Sequence, residues 1–93
     1  MVALVPEVVF TSALARHLET PARTVEGSTV REALGRVLDG DARLRGYVLD
    51  DQGLLRRHVM VFVDGEAVLD RQGLTDRVLP TSRIYVMQAL SGG

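Results

Sequence analysis

One amphipathic helix dominates the middle of this 93-residue sequence. Thr29 and Glu32 have the spacing of a capping box, in which the threonine accepts from the backbone and the glutamate reaches back to the threonine amide. Apolar side chains follow at helical spacing and form one stripe, which comprises Val30, Leu34, Val37 and Leu38. Gly40 is a typical helix stop. We therefore predict a helix over residues 29–39 whose apolar stripe lies across a sheet.

Segments that favour β-strands flank this helix. Residues 7–14 are rich in strand-forming side chains, and residues 22–26 alternate weakly after Thr20-Pro21, so together they predict a hairpin. Residues 54–63 form a long apolar strand candidate that ends at Asp64-Gly65, a strong tight-turn signal. The other expected elements are a short helix or irregular segment at 41–49, a polar turn at 50–53, a return at 66–69, a loop around Leu74 at 71–77, a turn at 80–82 and a last strand at 83–89.

The order of these elements restricts the topology. A hairpin that continues through a helix makes a right-handed crossover, which places the next strand parallel to an earlier one. We therefore predict an α+β fold in which a mixed four- or five-stranded sheet packs on one main helix. The chain is expected to form one domain over residues 1–89, with a loose lead-in at 1–6 and a flexible tail at 90–93.

Composition narrows the classes of function. A net charge of −1 argues against a general nucleic-acid binder, and no apolar run approaches the roughly 18 residues that cross a bilayer. Residues 1–10 lack the basic start of a secretory signal, so a cytoplasmic location is expected. The absence of cysteine excludes disulfides and thiolate catalysis. All eleven basic residues are arginine, as a GC-rich genome would favour, so the chain offers no ε-amine for an isopeptide branch on itself.

The polar side chains within the domain do not suggest a catalytic centre. His17 and His58 lie far apart without ligand spacing, so we expect structural histidines and no metal site. Turn geometry accounts better than acid–base catalysis for three carboxylate pairs, Asp39 with Asp41, Asp50 with Asp51 and Asp64 with Glu66. Thr11 and Ser12 have no base nearby in sequence. Arg56-Arg57 fits either a border with an acidic partner or a solvated strand end.

The last residues carry the main functional signal. Leu90-Ser91-Gly92-Gly93 follows the final predicted strand, so a rigid body would present a thin strip that can enter a narrow enzyme channel. The reactive group would be the terminal carboxylate of Gly93. Frayed termini often end in small residues, so this ending alone does not establish the chemistry.

These motifs, taken in order, resemble the MoaD/ThiS family of ubiquitin-like sulfur carriers, which have the β-grasp fold. Residues 27–34 are similar to the family's Gly-x-Thr-Val start of its helix, and residues 59–66 to its apolar strand with Asn-Gly or Asp-Gly. Residues 74–93 resemble its last loop, strand and Gly-Gly tail. The link at 54–58 resembles a subgroup with carriers for cysteine synthesis and archaeal-type members. One turn differs from the family pattern, because this chain has Pro80-Thr81-Ser82 where the family has Asp-Gly-Asp. This difference does not affect the tail.

The resemblance implies a carrier that is not itself an enzyme. An E1-like adenylating enzyme would use ATP and Mg²⁺ to adenylate Gly93, and a sulfur donor would then displace AMP and leave a thiocarboxylate. A sulfur-accepting synthase subunit would receive the sulfur, in molybdopterin, thiamin or cysteine biosynthesis. Gly92 would keep the terminal strip narrow, and Leu90 and Ser91 would occupy the entrance of the enzyme channel. The chain would bind no cofactor, and it could be the small subunit of an enzyme such as molybdopterin synthase.

The last predicted strand supplies the expected partner-binding residues. Ile84 and Val86 share one face of that strand, and Tyr85 and Met87 share the other. By analogy with the family, the first pair faces the core and the second faces a partner, because Tyr and Met suit an adaptable docking surface. The alternative is that Tyr85 and Met87 pack under a loop.

Two other functions are compatible with the sequence. A ubiquitin-like modifier would use the same activation and join Gly93 to lysines of other proteins. A β-grasp interaction subunit would carry its Gly-Gly ending incidentally.

Overall fold

The computed structural model describes residues 4–11 and 22–88. The described chain contains five strands, β1 (Glu7–Thr11), β2 (Ala22–Thr24), β3 (Val59–Val63), β4 (Glu66–Ala67) and β5 (Arg83–Gln88). It also contains two helices, α1 (Val30–Asp39) and α2 (Ala42–Val48). The strands form one sheet in the order β2-β1-β5-β3-β4. The α+β class and the sheet size predicted from the sequence are confirmed.

The last strand lies in the middle of the sheet. β5 pairs parallel with β1 and antiparallel with β3, while β2 and β4 are antiparallel neighbours at the two edges. β3 therefore runs in the same direction as β2, as the crossover rule predicts. The two strands are not neighbours, because β1 and β5 lie between them.

Helix α1 begins at the predicted cap, although one of its hydrogen bonds differs from the prediction. The Thr29 hydroxyl accepts from the Glu32 amide at 3.2 Å, as expected. The Glu32 carboxylate accepts from the Ser28 hydroxyl at 2.7 Å and from the Ser28 amide at 3.1 Å. The sequence predicts a bond to the Thr29 amide instead. Ser28 offers two donors where Thr29 would offer one, and these bonds lower the pKa of Glu32, the hydroxyl contributing most.

The apolar stripe of α1 is buried against the sheet. Its four predicted members are each at most 3% exposed, and they share one core with the inward side chains of β1, β3 and β5. The undecided segment at 41–49 is the second helix, which begins where the Asp41 carboxylate accepts from the Leu44 amide at 3.0 Å. Leu44 and Val48 of α2 complete the core on that side.

The prediction of a strand over residues 54–63 is wrong for residues 54–58. β3 begins only at Val59, and the residues before it do not pair with the sheet. The Arg56 amide instead donates to the Val48 carbonyl at the end of α2, at 3.0 Å. Contact with this helix therefore competes with strand extension. Residues 12–14 and Ala89, at the ends of two other predicted strands, lie outside the described residues.

The predicted tight turn between β3 and β4 is confirmed. Asp64 and Gly65 both have left-handed backbone, with φ values of 50° and 88°. The Asp64 carboxylate accepts from the Arg83 amide at 2.9 Å, which joins this hairpin to the start of β5. That bond is the main cause of a lowered pKa at Asp64, and the Ser82 hydroxyl adds to the effect.

Gly27 approaches α1 so closely that a side chain would collide with its backbone. A Cβ at this position would lie 2.8 Å from the Ala33 nitrogen. We expect Gly27→Ala to lower the free energy of unfolding by about 1–3 kcal/mol, because the Ala33 backbone, unlike a side chain, cannot rotate away from the added Cβ. Gly35→Ala is the control: its Cβ would meet nothing within 4 Å, so it should raise the free energy by about 0.5–1 kcal/mol. Urea denaturation measures both values, and equal destabilisation would contradict the steric argument.

Candidate functional site

The two faces of β5 differ as the sequence predicted. Ile84 and Val86 are fully buried in the core with the helices. Tyr85 and Met87 point to the opposite face and are half-buried. The inward and outward assignments are therefore confirmed, whereas a role of the outward pair in partner binding stays a prediction.

Cross-strand pairing extends this second face into an apolar surface. Tyr85 lies opposite Val9 of β1 on one side and Phe62 of β3 on the other. Met87 lies opposite Met60, whose side chain is 38% exposed. Directly opposed residues project from the same side of a sheet. We call this surface the open face, and it consists of Val9, Met60, Phe62, Tyr85 and Met87.

Sequence reasoning missed three members of the open face, Val9, Met60 and Phe62. A signal for two of them was present, because every residue of β3 is apolar. A strand with only one buried face normally alternates apolar and polar residues. An uninterrupted apolar run beside a tight turn therefore indicates a strand with apolar contacts on both faces.

The chain leaves the described sheet at one defined point. Gln88, the last residue of β5, lies opposite Val59, the first residue of β3. Met60 and Met87, the adjacent pair, put the open face next to this exit. Residues 89–93 continue from there, and the predicted tail residues lie outside the described residues: Leu90, Ser91, Gly92 and Gly93.

The carboxylates expected in turns serve mainly local structure. Asp41, Asp50 and Asp64 each accept from a backbone amide at 2.8 to 3.0 Å. Asp39 forms an exposed ion pair with Arg45 at 3.3 Å. The backbone contacts confirm a local structural role for Asp41, Asp50 and Asp64, whereas Asp39 is the last residue of α1 and does not lie in a turn.

Metal-ligand geometry is not found in the part of the chain that the structure describes. No group of three or more histidine and carboxylate side chains among residues 4–11 and 22–88 could hold a metal ion. His58 is exposed, and His17 lies outside the described residues. Within the same ranges, neither helix has the length and hydropathy needed to cross a bilayer.

Comparison with known proteins identifies the fold. The chain matches no family model, and no curated protein is significantly similar to it in sequence. The structure is similar to SAMP1 from Haloferax volcanii, with a TM-score of 0.81 and 24% identity over 95% of this chain and 98% of that one. A chain of the BexX/CysO complex from Amycolatopsis orientalis gives a TM-score of 0.78 and 24% identity over 95% and 99%.

A more distant match has the same architecture. Urm1 from Sulfolobus solfataricus gives a TM-score of 0.67 at 14% identity, over 89% of this chain and 99% of that one. In each case the match extends over about nine-tenths or more of both chains, so it concerns the fold as a whole. The chain therefore has the ubiquitin-like β-grasp fold that its sequence predicts.

Proposed function

We propose that this chain is a ubiquitin-like sulfur carrier whose working group is the Gly93 carboxylate. The observation that carries the proposal is the position of β5, which lies at the centre of the sheet and delivers residues 89–93 at one end of a folded body. Gly92 and Gly93 have no Cβ, so this segment fits a narrow channel. Fold and sequence ending thus support the same kind of function.

The proposed chemistry starts from a poor electrophile. The Gly93 carboxylate attacks the α-phosphate of ATP on an E1-like enzyme with Mg²⁺, and pyrophosphate leaves. A sulfide or persulfide sulfur from the donor then attacks the carbonyl carbon, and AMP leaves. Sulfide gives the thiocarboxylate directly, whereas a persulfide adduct needs a further thiol to reduce its S–S bond. The carrier's part is to hold the reacting carbon in position for each enzyme.

We assign the open face to docking with the activating enzyme and the sulfur-accepting synthase subunit. Tyr85 lies at the centre of this face, and methionine side chains adapt to different partner surfaces. Met87 lies on the strand that continues into the tail. A partner bound to this face would therefore hold the start of the tail at a fixed distance from the partner's own channel. Leu90 and Ser91 would then pass through that channel.

Mass spectrometry of the intact chain tests this proposal. The chain is incubated with the E1-like enzyme of the same genome, ATP and sulfide. We expect a mass gain equal to the exchange of one oxygen for sulfur, located in the C-terminal fragment. If neither this product nor an adduct to another protein forms, a plain β-grasp interaction subunit replaces the carrier as the best interpretation.

Protein modification is the second candidate function. The similarity to small archaeal modifier protein 1 favours it, since that name describes a modifier. In this case Gly93 would be joined to lysines of other proteins after the same activation. The chain has no lysine, so it would not build side-chain branches on itself. Adducts on other proteins in the same mass-spectrometric experiment would support this function.

A further inference from the structure

A positively charged turn lies beside the point where β5 leaves the sheet. The turn spans Arg56 to Val59 and is closed by a hydrogen bond from the Val59 amide to the Arg56 carbonyl, at 3.0 Å. Arg57 and His58 are its two corner residues, and both are exposed. Because Val59 lies opposite Gln88, the corner stands next to the start of residues 89–93.

Two arginine side chains hold this turn in place. The Arg71 guanidinium donates to the Val59 carbonyl at 2.8 Å and to the Arg56 carbonyl at 3.1 Å. Nε of Arg56 donates to the Gly46 carbonyl in α2, at 2.7 Å. All three acceptors are neutral carbonyl groups, so these bonds fix the turn without cancelling its positive charge.

Carboxylates within the described residues do not neutralise the turn. Two ion pairs occur in the described ranges, Arg45 with Asp39 and Arg83 with Glu7. Asp70 is the sequence neighbour of Arg71, but its carboxylate accepts from the Thr75 hydroxyl at 2.6 Å and is committed to its own loop. Arg57 makes no hydrogen bond or ion pair with any residue in these ranges.

The acidic residues of the sheet lie at its other end. Glu7 pairs with Arg83 at the start of β5, and the Asp64 carboxylate accepts from the Arg83 amide. Glu66 follows the same turn. The carboxylates of the sheet are therefore remote from the end where the tail begins, and the exposed guanidinium of Arg57 lies at that end.

We propose that this positive corner, formed by Arg56, Arg57, His58 and Arg71, docks on a carboxylate-lined rim of the enzyme that takes up the tail. The inference rests on the proposed function and adds the chemistry of the partner surface. Arg57 is the exposed member, and its planar guanidinium suits a bidentate contact with a carboxylate. Opposite charge would also speed the encounter and orient the tail toward the channel.

Charge reversal at Arg57 tests the inference. The assay is ATP–pyrophosphate exchange with the E1-like enzyme of the same genome, with the chain as the varied substrate. We expect Arg57→Glu to raise KM for the chain about tenfold at low salt with kcat unchanged, and we expect the difference to shrink as salt screens the contact.

Arg77→Glu is the matched control. Arg77 is also an exposed arginine, but it lies near the start of α1, where the adjacent Val78 amide donates to the Ser28 carbonyl at 2.9 Å. The same reversal of charge there should leave KM within about twofold of wild type, since the site is remote from the tail. Circular dichroism verifies that both variants fold.

Each other outcome overturns the inference in a distinguishable way. A wild-type chain that is not adenylated overturns the proposed function together with this inference. Normal adenylation with an unchanged KM in Arg57→Glu overturns the inference alone. A raised KM for ATP in Arg57→Glu would assign the corner to nucleotide phosphates. An equal rise in KM for the chain in Arg77→Glu would indicate a general effect of net charge. Either result would refute docking on an acidic protein rim.

Discussion

Deletion of Gly93 should abolish activation, lowering the rate of ATP–pyrophosphate exchange by at least about 100-fold. The shortened chain places its carboxylate one residue, about 3.5 Å, away from the reacting position, and a misplacement of about 1 Å can already cost a factor of about 100. The unfolding temperature should not change, because glycine has no side chain to pack, and the core that the structure describes ends at Val86. Retained activation would refute the assignment of Gly93 as the acyl group.

A side chain near the tip should have the same effect as the deletion. Gly92→Val adds a branched Cβ to the strip, which we expect to block its passage through the channel. Gly46→Val is the matched control, because an added Cβ at this exposed helical position meets nothing within 4 Å. That variant should be activated at the wild-type rate. Loss of activation in both variants would show that the assay reports stability instead of access.

Replacement of Tyr85 by alanine should weaken docking by about 30-fold, or about 2 kcal/mol, and should lower the free energy of unfolding by about 1 kcal/mol through lost cross-strand contacts. Tyr85 lies between Val9 and Phe62 at the centre of the open face, and a central aromatic side chain often dominates an interface. Calorimetric titration with the E1-like enzyme in the absence of ATP measures Kd. Tyr47→Ala is the control: this second tyrosine packs against the core, so its loss should lower stability and leave Kd unchanged.

A second pair of variants separates the open face from general surface hydrophobicity. Met60 and Leu79 are 38% and 55% exposed, but only Met60 belongs to the open face. Met60→Glu should therefore weaken binding at least about tenfold, since it buries an unpaired charge in the complex. Leu79→Glu should leave Kd within about twofold of wild type. Equal losses in the two variants would contradict a docking role specific to this face.

The individual turns and helix ends that the sequence predicts correctly depend on local patterns. The cap at Thr29 and the Asp64-Gly65 turn depend on residues within one turn of chain, so short patterns are sufficient to predict them. The start of β3 depends on a contact between Arg56 and the end of α2, which no local pattern contains. The apolar run taken alone therefore predicted a β3 strand that was too long.

The candidate site could be predicted only in part, for a similar reason. Alternation along β5 was enough to separate Tyr85 and Met87 from the buried side chains. The neighbours of these two residues depend on strand order, which is set by packing of the whole sheet. The positive corner likewise depends on Arg71, which reaches the Arg56–Val59 turn across the intervening β-hairpin.

The central position of β5 also matters during protein synthesis. Arg83–Gln88 is the last of the five strands to leave the ribosome, and until then the β1–β2 and β3–β4 hairpins have no common neighbour. Ile84 and Val86, which complete the core, arrive with it. A chain that terminates before β5 should therefore remain unfolded and be degraded, so that the molecules that fold have been translated to within a few residues of their reactive segment.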